Sequence, residues 1–299
     1  MKILAAILVL TLSLRADPLT GARRIVFLGD SITHGGHYIV LLEAALRGTH
    51  PQASFINLGL PSEGVTGLSE PAHPFPRPNV HERLARVLAR AKPDVVFACY
   101  GMNDGIYHPF SQERFDQYKD GIDALIEAVR ESGAKLILLT PPPFDPHPMK
   151  AGGKLRPAGA PEYSWKEIYE HYDRDVIAPY AKWLLAQGER VTAVIDLHGP
   201  ITAHVNERRR SDPEFVLSGD GVHLDPAGHR LMADAIHRAI YDRPLPAIPP
   251  AELEVRSRQH ALMHAAWLTH TGHQRPGMKA GLPLEEARAK AARLRESQP

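Results

Sequence analysis

Only one cysteine, Cys99, occurs in the 299 residues, so no intramolecular disulfide can hold this fold together. Its setting, Asp94-Val95-Val96-Phe97-Ala98-Cys99-Tyr100, is an apolar run that reads as a buried strand, not as a reactive thiol. An excess of charge is missing as well. The 35 Lys+Arg and 34 Asp+Glu leave a net +1, which gives no field to draw in nucleic acid or an anionic membrane. The one basic run, Glu207-Arg208-Arg209-Arg210, is short and reads as a solvated loop or helix face. No apolar stretch is long enough to span a bilayer: Ile3 to Leu14 has twelve residues. There is no internal repeat. What is present, 43% hydrophobic and 23% charged residues, suits a globular domain long enough to bury a sizeable core.

That twelve-residue stretch follows Met1-Lys2 and ends near Ala16, before Asp17-Pro18. A basic start, a short apolar core and a small residue at the end predict an export signal over residues 1–16. The expected location is secreted or periplasmic, with no permanent membrane anchor and no lipid-bearing cysteine after the apolar run.

Beyond it, strand and helix patterns alternate. β-branched apolar runs at Ile25–Leu28, Ser54–Asn57, Val95–Cys99, Lys135–Thr140 and Val191–Leu197 predict parallel strands. Helical patterns lie near Tyr38–Arg47, Val80–Arg90, Phe115–Ser132, Trp165–Gln187 and Pro226–Ile240, with Pro179 expected to kink or split the fourth. Alternation with right-handed crossovers predicts a three-layer α/β/α sandwich around a central parallel five-stranded sheet. Two Pro-rich stretches, 69–79 and 141–164, exceed the minimal pattern. The second follows a strand, so it should stand at the sheet edge where chemistry is kept.

Four short blocks carry that chemistry: Gly29-Asp30-Ser31-Ile32, Asn57-Leu58-Gly59, Gly101-Met102-Asn103-Asp104 and Asp220-Gly221-Val222-His223. Acyl transfer needs a nucleophile, a base, a group that orients the base, and donors for the oxyanion. Ser31 stands where a strand gives way to helical sequence, which sets its hydroxyl at the carboxyl edge of the sheet. His223 has the proton affinity of a base. Asp220, three residues earlier, can fold back on its Nδ1. The backbone amides of Ser31 and Gly59 and the side-chain amide of Asn103 are the oxyanion donors, Gly59 because a missing Cβ permits close approach. Each residue alone has a plainer reading. Asp30 and Ser31 are common helix-capping residues, and Gly59, Asn103 and Asp220 are common in turns.

In this order the four blocks resemble the SGNH (GDSL-type) hydrolase family, over roughly residues 24–241. The resemblance implies a flavodoxin-like SGNH hydrolase fold and a serine esterase that needs neither metal nor cofactor. The second block departs from the family pattern, which commonly has another glycine soon after the first; here the chain reads Gly59-Leu60-Pro61-Ser62-Glu63-Gly64.

The motif flanks are polar: His34, His37, Ser62, Glu63, Tyr107 and His108. They suit hydrogen bonding to a sugar alcohol, with His34 and His108 as pocket contacts. Of the activities in the family, this favours hydrolysis of short acyl esters, chiefly O-acetyl groups on a carbohydrate. A lipase or thioesterase acting on longer acyl chains is the alternative, and a non-catalytic carbohydrate-binding protein is the rival from another class. The expected partner is a small-molecule or polysaccharide ester, not nucleic acid. His260 and His264, at i and i+4, have zinc-ligand spacing but no acidic partner, so no metal is expected.

The expected division is a hydrolase domain at 17–250 and a helical C-terminal extension at 251–299. The extension holds a helix over Glu252–Trp267, a loop over His270–Met278 and a second helix from Leu284 to Arg295. Two such helices carry too little apolar surface for their own core, so they should pack on the hydrolase domain through Trp267. Arg275 in the loop is a candidate for the rim of the site.

Overall fold

A computed structural model describes residues 17–296; the expected export signal at 1–16 lies outside the described residues. Strand β1 (Arg24–Gly29) is followed by a short helix α1 (Ser31–Gly35), α2 (His37–Leu46) and strand β2 (Ser54–Asn57). Helix α3 (Val80–Ala91), β3 (Val95–Cys99), α4 (Gln112–Glu131) and β4 (Lys135–Leu139) come next. An insertion then holds α5 (His147–Lys150) and two short strands, β5 (Leu155–Arg156) and β6 (Ile168–Tyr169). A π-helical turn, Asp173–Ile177, runs into α6 (Ala178–Leu185), followed by β7 (Ala193–Ile195) and α7 (His198–Arg209). The chain continues through α8 (Pro226–Tyr241), α9 (Pro250–Thr271) and α10 (Leu284–Glu296).

Five strands form one parallel sheet in the order β2-β1-β3-β4-β7, with helices around it. This is the expected α/β/α sandwich. Its strands are apolar on both faces because both are covered: β1 is buried from Ile25 to Gly29 and β3 throughout. Phe27 and Phe97 stack across β1 and β3 with ring centroids 4.8 Å apart. Cys99 is buried at the end of β3, and burial pushes its thiol pKa well above the ordinary value, which leaves it inert.

The strand order decides where chemistry can sit. From β1 the chain moves to the β2 edge, then crosses to β3 on the other side. The connections leave a crevice above the carboxyl ends of β1 and β3. Gly29 and Cys99 are register partners, so the loops carrying Ser31 and Asn103 leave the sheet at one level.

Two stretches depart from the sequence reading. Residues 165–171 are not helical. Ile168 and Tyr169 instead pair with Leu155 and Arg156, and tertiary pairing overrides the local pattern. Helix begins only at Tyr172, directly before the π-helical turn. The π-helical turn gives way to α6 between Ile177 and Ala178, one residue before Pro179, whose missing N–H interrupts the regular hydrogen-bond ladder there. Helix α7 has no counterpart in the sequence reading, because its start, His198-Gly199-Pro200, reads as a turn.

Helix α9 packs on α2, α3 and edge strand β2, with α10 against its outer side. Trp267 is buried within the main core cluster. No described helix is long and apolar enough to cross a membrane.

Candidate active site

The turn from β1 into α1 is tight. A Cβ on Gly29 would lie 2.2 Å from Thr33 Oγ1 and 2.9 Å from the Cys99 carbonyl oxygen, so only glycine fits there. Asp30 caps α1, its Oδ1 accepting the Ile32 N–H at 2.9 Å. Burial raises the Asp30 pKa to about 7, against the opposing pull of that hydrogen bond and of His223. Ser31, the next residue, is half-buried and points its hydroxyl out of the crevice toward His223.

His223 comes from the loop before α8. The chain folds back there at Gly221, whose φ is +78°. A Cβ on Gly221 would also stand 2.3 Å from the Asp145 carbonyl oxygen, so the start of the insertion braces this loop. Asp220 Oδ1 accepts the backbone N–H groups of Val222 (3.0 Å) and His223 (2.8 Å) and the Ser218 hydroxyl (3.0 Å). Its Oδ2 is left for the ring, and His223 Nδ1 lies 2.6 Å from it. His223 Nε2 then lies 2.8 Å from Ser31 Oγ. With Nδ1–H donating to the carboxylate, Nε2 is left to accept a hydrogen bond from the Ser31 hydroxyl.

The charges agree with that arrangement. Burial pushes the Asp220 carboxyl up, but the His223 ring and the backbone N–H groups outweigh it and hold the group well below the usual carboxylate range. The hydrogen bond to Asp220 raises the His223 pKa, with burial opposing. His223 and Asp220 are both exposed, so the site opens to solvent and is not sunk in a deep cleft.

Asn103 lies past β3, nearly buried. Its Nδ2 donates to the Glu63 carbonyl oxygen at 3.0 Å, leaving a second N–H. Its Oδ1 accepts from Arg77 Nη1 and from the Tyr107 hydroxyl, each at 2.9 Å. The neighbouring Asp104 is buried with a pKa raised to about 6 by burial, and its Oδ1 accepts the Val65 and Thr66 N–H groups. A Cβ on Gly64 would lie 2.6 Å from that oxygen, so a larger residue there would push the Asp104 carboxylate aside.

Gly59 sits differently from the sequence reading. Its N–H donates to Asn57 Oδ1 at 2.8 Å and is spent there. The missing Cβ does allow a close approach, but to the backbone of α1: His34 N and Thr33 C would lie 2.4 and 2.5 Å from it. The carbonyl of Gly59 is equally occupied, by His34 Nδ1 at 3.2 Å and His264 Nε2 at 3.1 Å.

The polar flanks are also largely engaged inside the protein. Glu63 is buried and paired with Arg83 through two bonds of 2.6 Å, and it accepts from the Tyr100 hydroxyl. Tyr107 is buried with its hydroxyl on Asn103. His34 faces the His264 ring at 4.6 Å, and His108 packs on Tyr163 at 5.0 Å with its Nε2 unpaired. Ser62 stands at a left-handed φ of +68° after Pro61, the geometry of a type II turn closed by Glu63 N on Leu60 O at 3.1 Å. Its hydroxyl faces His73.

His260 and His264 are both engaged with the second motif block, His264 through the Gly59 carbonyl. His260 Nε2 faces Asn57 Nδ2 at 3.0 Å, and among the described residues no group of three or more His, Cys, Asp or Glu could hold a metal ion. A cavity of about 440 Å³ lies between α9 and the α1–α2 corner, lined by His34, His37, His260 and His264. In the extension, Arg275 Nε donates to the Pro61 carbonyl oxygen at 2.8 Å and its guanidinium stacks over Phe75 at 5.0 Å. The loop therefore reaches the second motif block. Two residues that the sequence reading does not single out, Glu70 and Arg77, stand directly behind Asn103. Their only sequence signal is a pair of opposite charges in a Pro-rich loop.

No curated protein sequence matches the chain. Similar folds occur among solved structures. One is a gut microbial diltiazem-metabolizing enzyme, BT4096, at 19% identity and TM-score 0.55, over 73% of this chain and 46% of that one. Another is a variant of Axe2, an acetyl-xylooligosaccharide esterase from Geobacillus stearothermophilus, at 19% identity and TM-score 0.53, over 76% of this chain and 97% of that one. A third is LAE5, an alpha/beta hydrolase enzyme from the metagenome of Lake Arreo, Spain, at 21% identity and TM-score 0.52, over 74% and 95%. The sequence model of the GDSL-like lipase/acylhydrolase family matches residues 27–231, which run from within β1 past β7 and hold all four motif blocks. This chain belongs to that family and is an ester hydrolase of the SGNH type.

Proposed function

We propose that the protein is a serine esterase that removes short acyl groups, chiefly acetyl, from a carbohydrate, with Ser31 as nucleophile. The observation that carries this reading is the continuous relay from Ser31 Oγ through His223 to Asp220, at 2.8 and 2.6 Å. In the reaction, Ser31 Oγ attacks the ester carbonyl carbon while its proton passes to His223 Nε2. The carbonyl oxygen becomes an oxyanion, for which the Ser31 amide and the free N–H of Asn103 are the donors. Collapse breaks the bond to the alcohol, which leaves with the proton from His223. Water, deprotonated by the same nitrogen, then releases the acid and restores Ser31. Gly59 has no part in this scheme, since its N–H is committed to Asn57.

Substrate class rests on the surroundings. The site is open, which suits a bulky polar alcohol. Trp165, one of few exposed large apolar side chains, stands on the insertion, with its backbone N–H on Glu70 at 3.2 Å. Axe2, with a similar fold, acts on acetylated xylooligosaccharides. The apolar start of the chain supports a secreted or periplasmic location, and the end of the family match at residue 231 supports treating 251–299 as an extension of a hydrolase unit at 17–250. The deciding experiment measures acetate release from acetylated xylooligosaccharides beside hydrolysis of octanoyl esters. A kcat/KM higher for the octanoyl ester would move the assignment to a lipase or thioesterase, and no turnover of either would leave a binding protein.

A further inference from the structure

Behind the free N–H of Asn103 stands a buried charge. Arg77 is 5% exposed and Glu70 2%, and they are joined by two bonds, Arg77 Nε to Glu70 Oε2 at 2.7 Å and Nη2 to Oε1 at 2.6 Å. Burial disfavours the Arg77 cation, but the hydrogen bonds and charge of Glu70 outweigh it, so the guanidinium keeps its charge. Its third contact is the 2.9 Å bond from Nη1 to Asn103 Oδ1. The Arg77 guanidinium also lies over the ring of Tyr107, 5.3 Å from its centroid, and Tyr107 donates to the same oxygen.

We propose that Arg77, held by Glu70, is a positioning residue that fixes the Asn103 side-chain amide as an oxyanion donor and strengthens it. The proposal rests on the reading of Asn103 given above.

Two physical reasons support it. An asparagine amide can flip, exchanging its oxygen and nitrogen ends. Arginine has only donors, so a flipped Asn103 would set N–H against N–H. The guanidinium therefore keeps Oδ1 inward and leaves one N–H of Nδ2 free beyond the Glu63 carbonyl. A cation hydrogen-bonded to the amide oxygen also polarises the amide and makes its N–H groups better donors. Both effects grow in a buried setting, where the charge is little screened.

A role confined to stability explains the pair less well. Buried ion pairs are often no better for stability than apolar side chains of similar size. Such a role also does not require the third bond to Asn103. Glu70 accepts the backbone N–H of Trp165 in addition, so the same carboxylate ties the insertion to the oxyanion side of the site.

The test is a double-mutant cycle on a soluble acetyl ester with kcat and KM measured separately. Arg77→Met is expected to lower kcat by about tenfold to a hundredfold, less than the loss of a donor itself, with KM within about twofold. In the Asn103→Ala background, Arg77→Met should change kcat little further, because there is no amide left to position. Arg77→Lys should recover part of the loss. Since Arg77→Met leaves Glu70 buried and unpaired, the cycle is repeated with Glu70→Met/Arg77→Met, which removes both charges. Equal losses from the Arg77 change with and without Asn103 would overturn the positioning role while leaving Asn103 as a donor. A rise in KM at constant kcat would overturn it too. Full activity of Asn103→Ala itself would instead remove Asn103 from the oxyanion site, and the proposal with it.

Discussion

His264 reaches back across 205 positions of sequence to place its Nε2 3.1 Å from the carbonyl oxygen of Gly59. Its neighbour one turn earlier, His260, meets Asn57, whose own amide donates to the Thr33 carbonyl oxygen at 2.8 Å. The two histidines thus join helix α9 to the second motif block and, through Thr33, to the helix that starts at Ser31. A pair with the spacing of metal ligands serves here as a hydrogen-bonded clamp.

Weakening that clamp should be felt in stability. Trp267→Ala is expected to cost about 3–5 kcal/mol, the usual range for emptying a buried aromatic site. Removing residues after Pro250 should lower the melting temperature further and reduce kcat, since Asn57 and Gly59 lose their braces. An unchanged melting temperature after the truncation would show that α9 supports nothing.

Acid should loosen the same joint. Burial first, then the proximity of the other histidines, lowers the pKa of His260 to about 4 and of His264 to about 3, from an ordinary 6.5. The folded protein holds both rings neutral while the unfolded chain takes up their protons below 6.5. Stability is therefore full above that value and falls as the pH drops toward 4. Asp30 and Asp104, with pKa values raised to about 7 and about 6, act in the opposite sense. The histidine share is thus read by difference. Melting temperatures of the wild type and His260→Gln/His264→Gln between pH 7.5 and 4.5 should converge toward the acid end. Parallel curves would count against this account.

The nucleophile and base should behave as one unit. Ser31→Ala and His223→Ala are each expected to lower kcat by several orders of magnitude, and the double variant little more than either. Circular dichroism should stay unchanged, because both side chains lie at the open end of the crevice. A Ser31→Ala enzyme that keeps more than about a tenth of the wild-type kcat would disprove the mechanism.

The pH profile gives an independent check. His223 acts as a base only when neutral, and its hydrogen bond to Asp220 raises its pKa above the ordinary 6.5. The acid limb of kcat/KM should therefore have its midpoint above 6.5. Asp220→Asn should move that midpoint down and lower kcat. Asp30, whose pKa burial raises to about 7, is a neighbour able to imitate this limb, so Asp30→Asn is the control. A limb that moves with Asp30 and ignores Asp220 would reassign it.

The sheet is legible in the sequence because its strands are short, β-branched and buried on both faces, so each announces itself locally. Asp220 and His223 are legible for a similar reason: they lie three positions apart, and one loop brings them together. The contacts that remained hidden join distant residues. Glu63 reads as a pocket carboxylate, yet Arg83, twenty positions on, buries it. Arg77 stands in a Pro-rich loop where a charge normally faces water, and only the fold shows its place behind Asn103. The commitment of the Gly59 amide depends on the rotamer of Asn57, which no sequence pattern encodes. Residues 165–171 show the limit from the other side. Their helical pattern is overruled by one small pairing with Leu155 and Arg156.

The order in which the chain leaves the ribosome gives the α9 contact a temporal meaning. Strands β1 and β2 emerge early and α9 only after the whole sheet, so a nascent chain can assemble its strands before Gly59 and Asn57 are braced. The bracing of the second motif block is thereby deferred until the sheet is complete. A polypeptide caught before that point has its serine and its sheet without the final clamp.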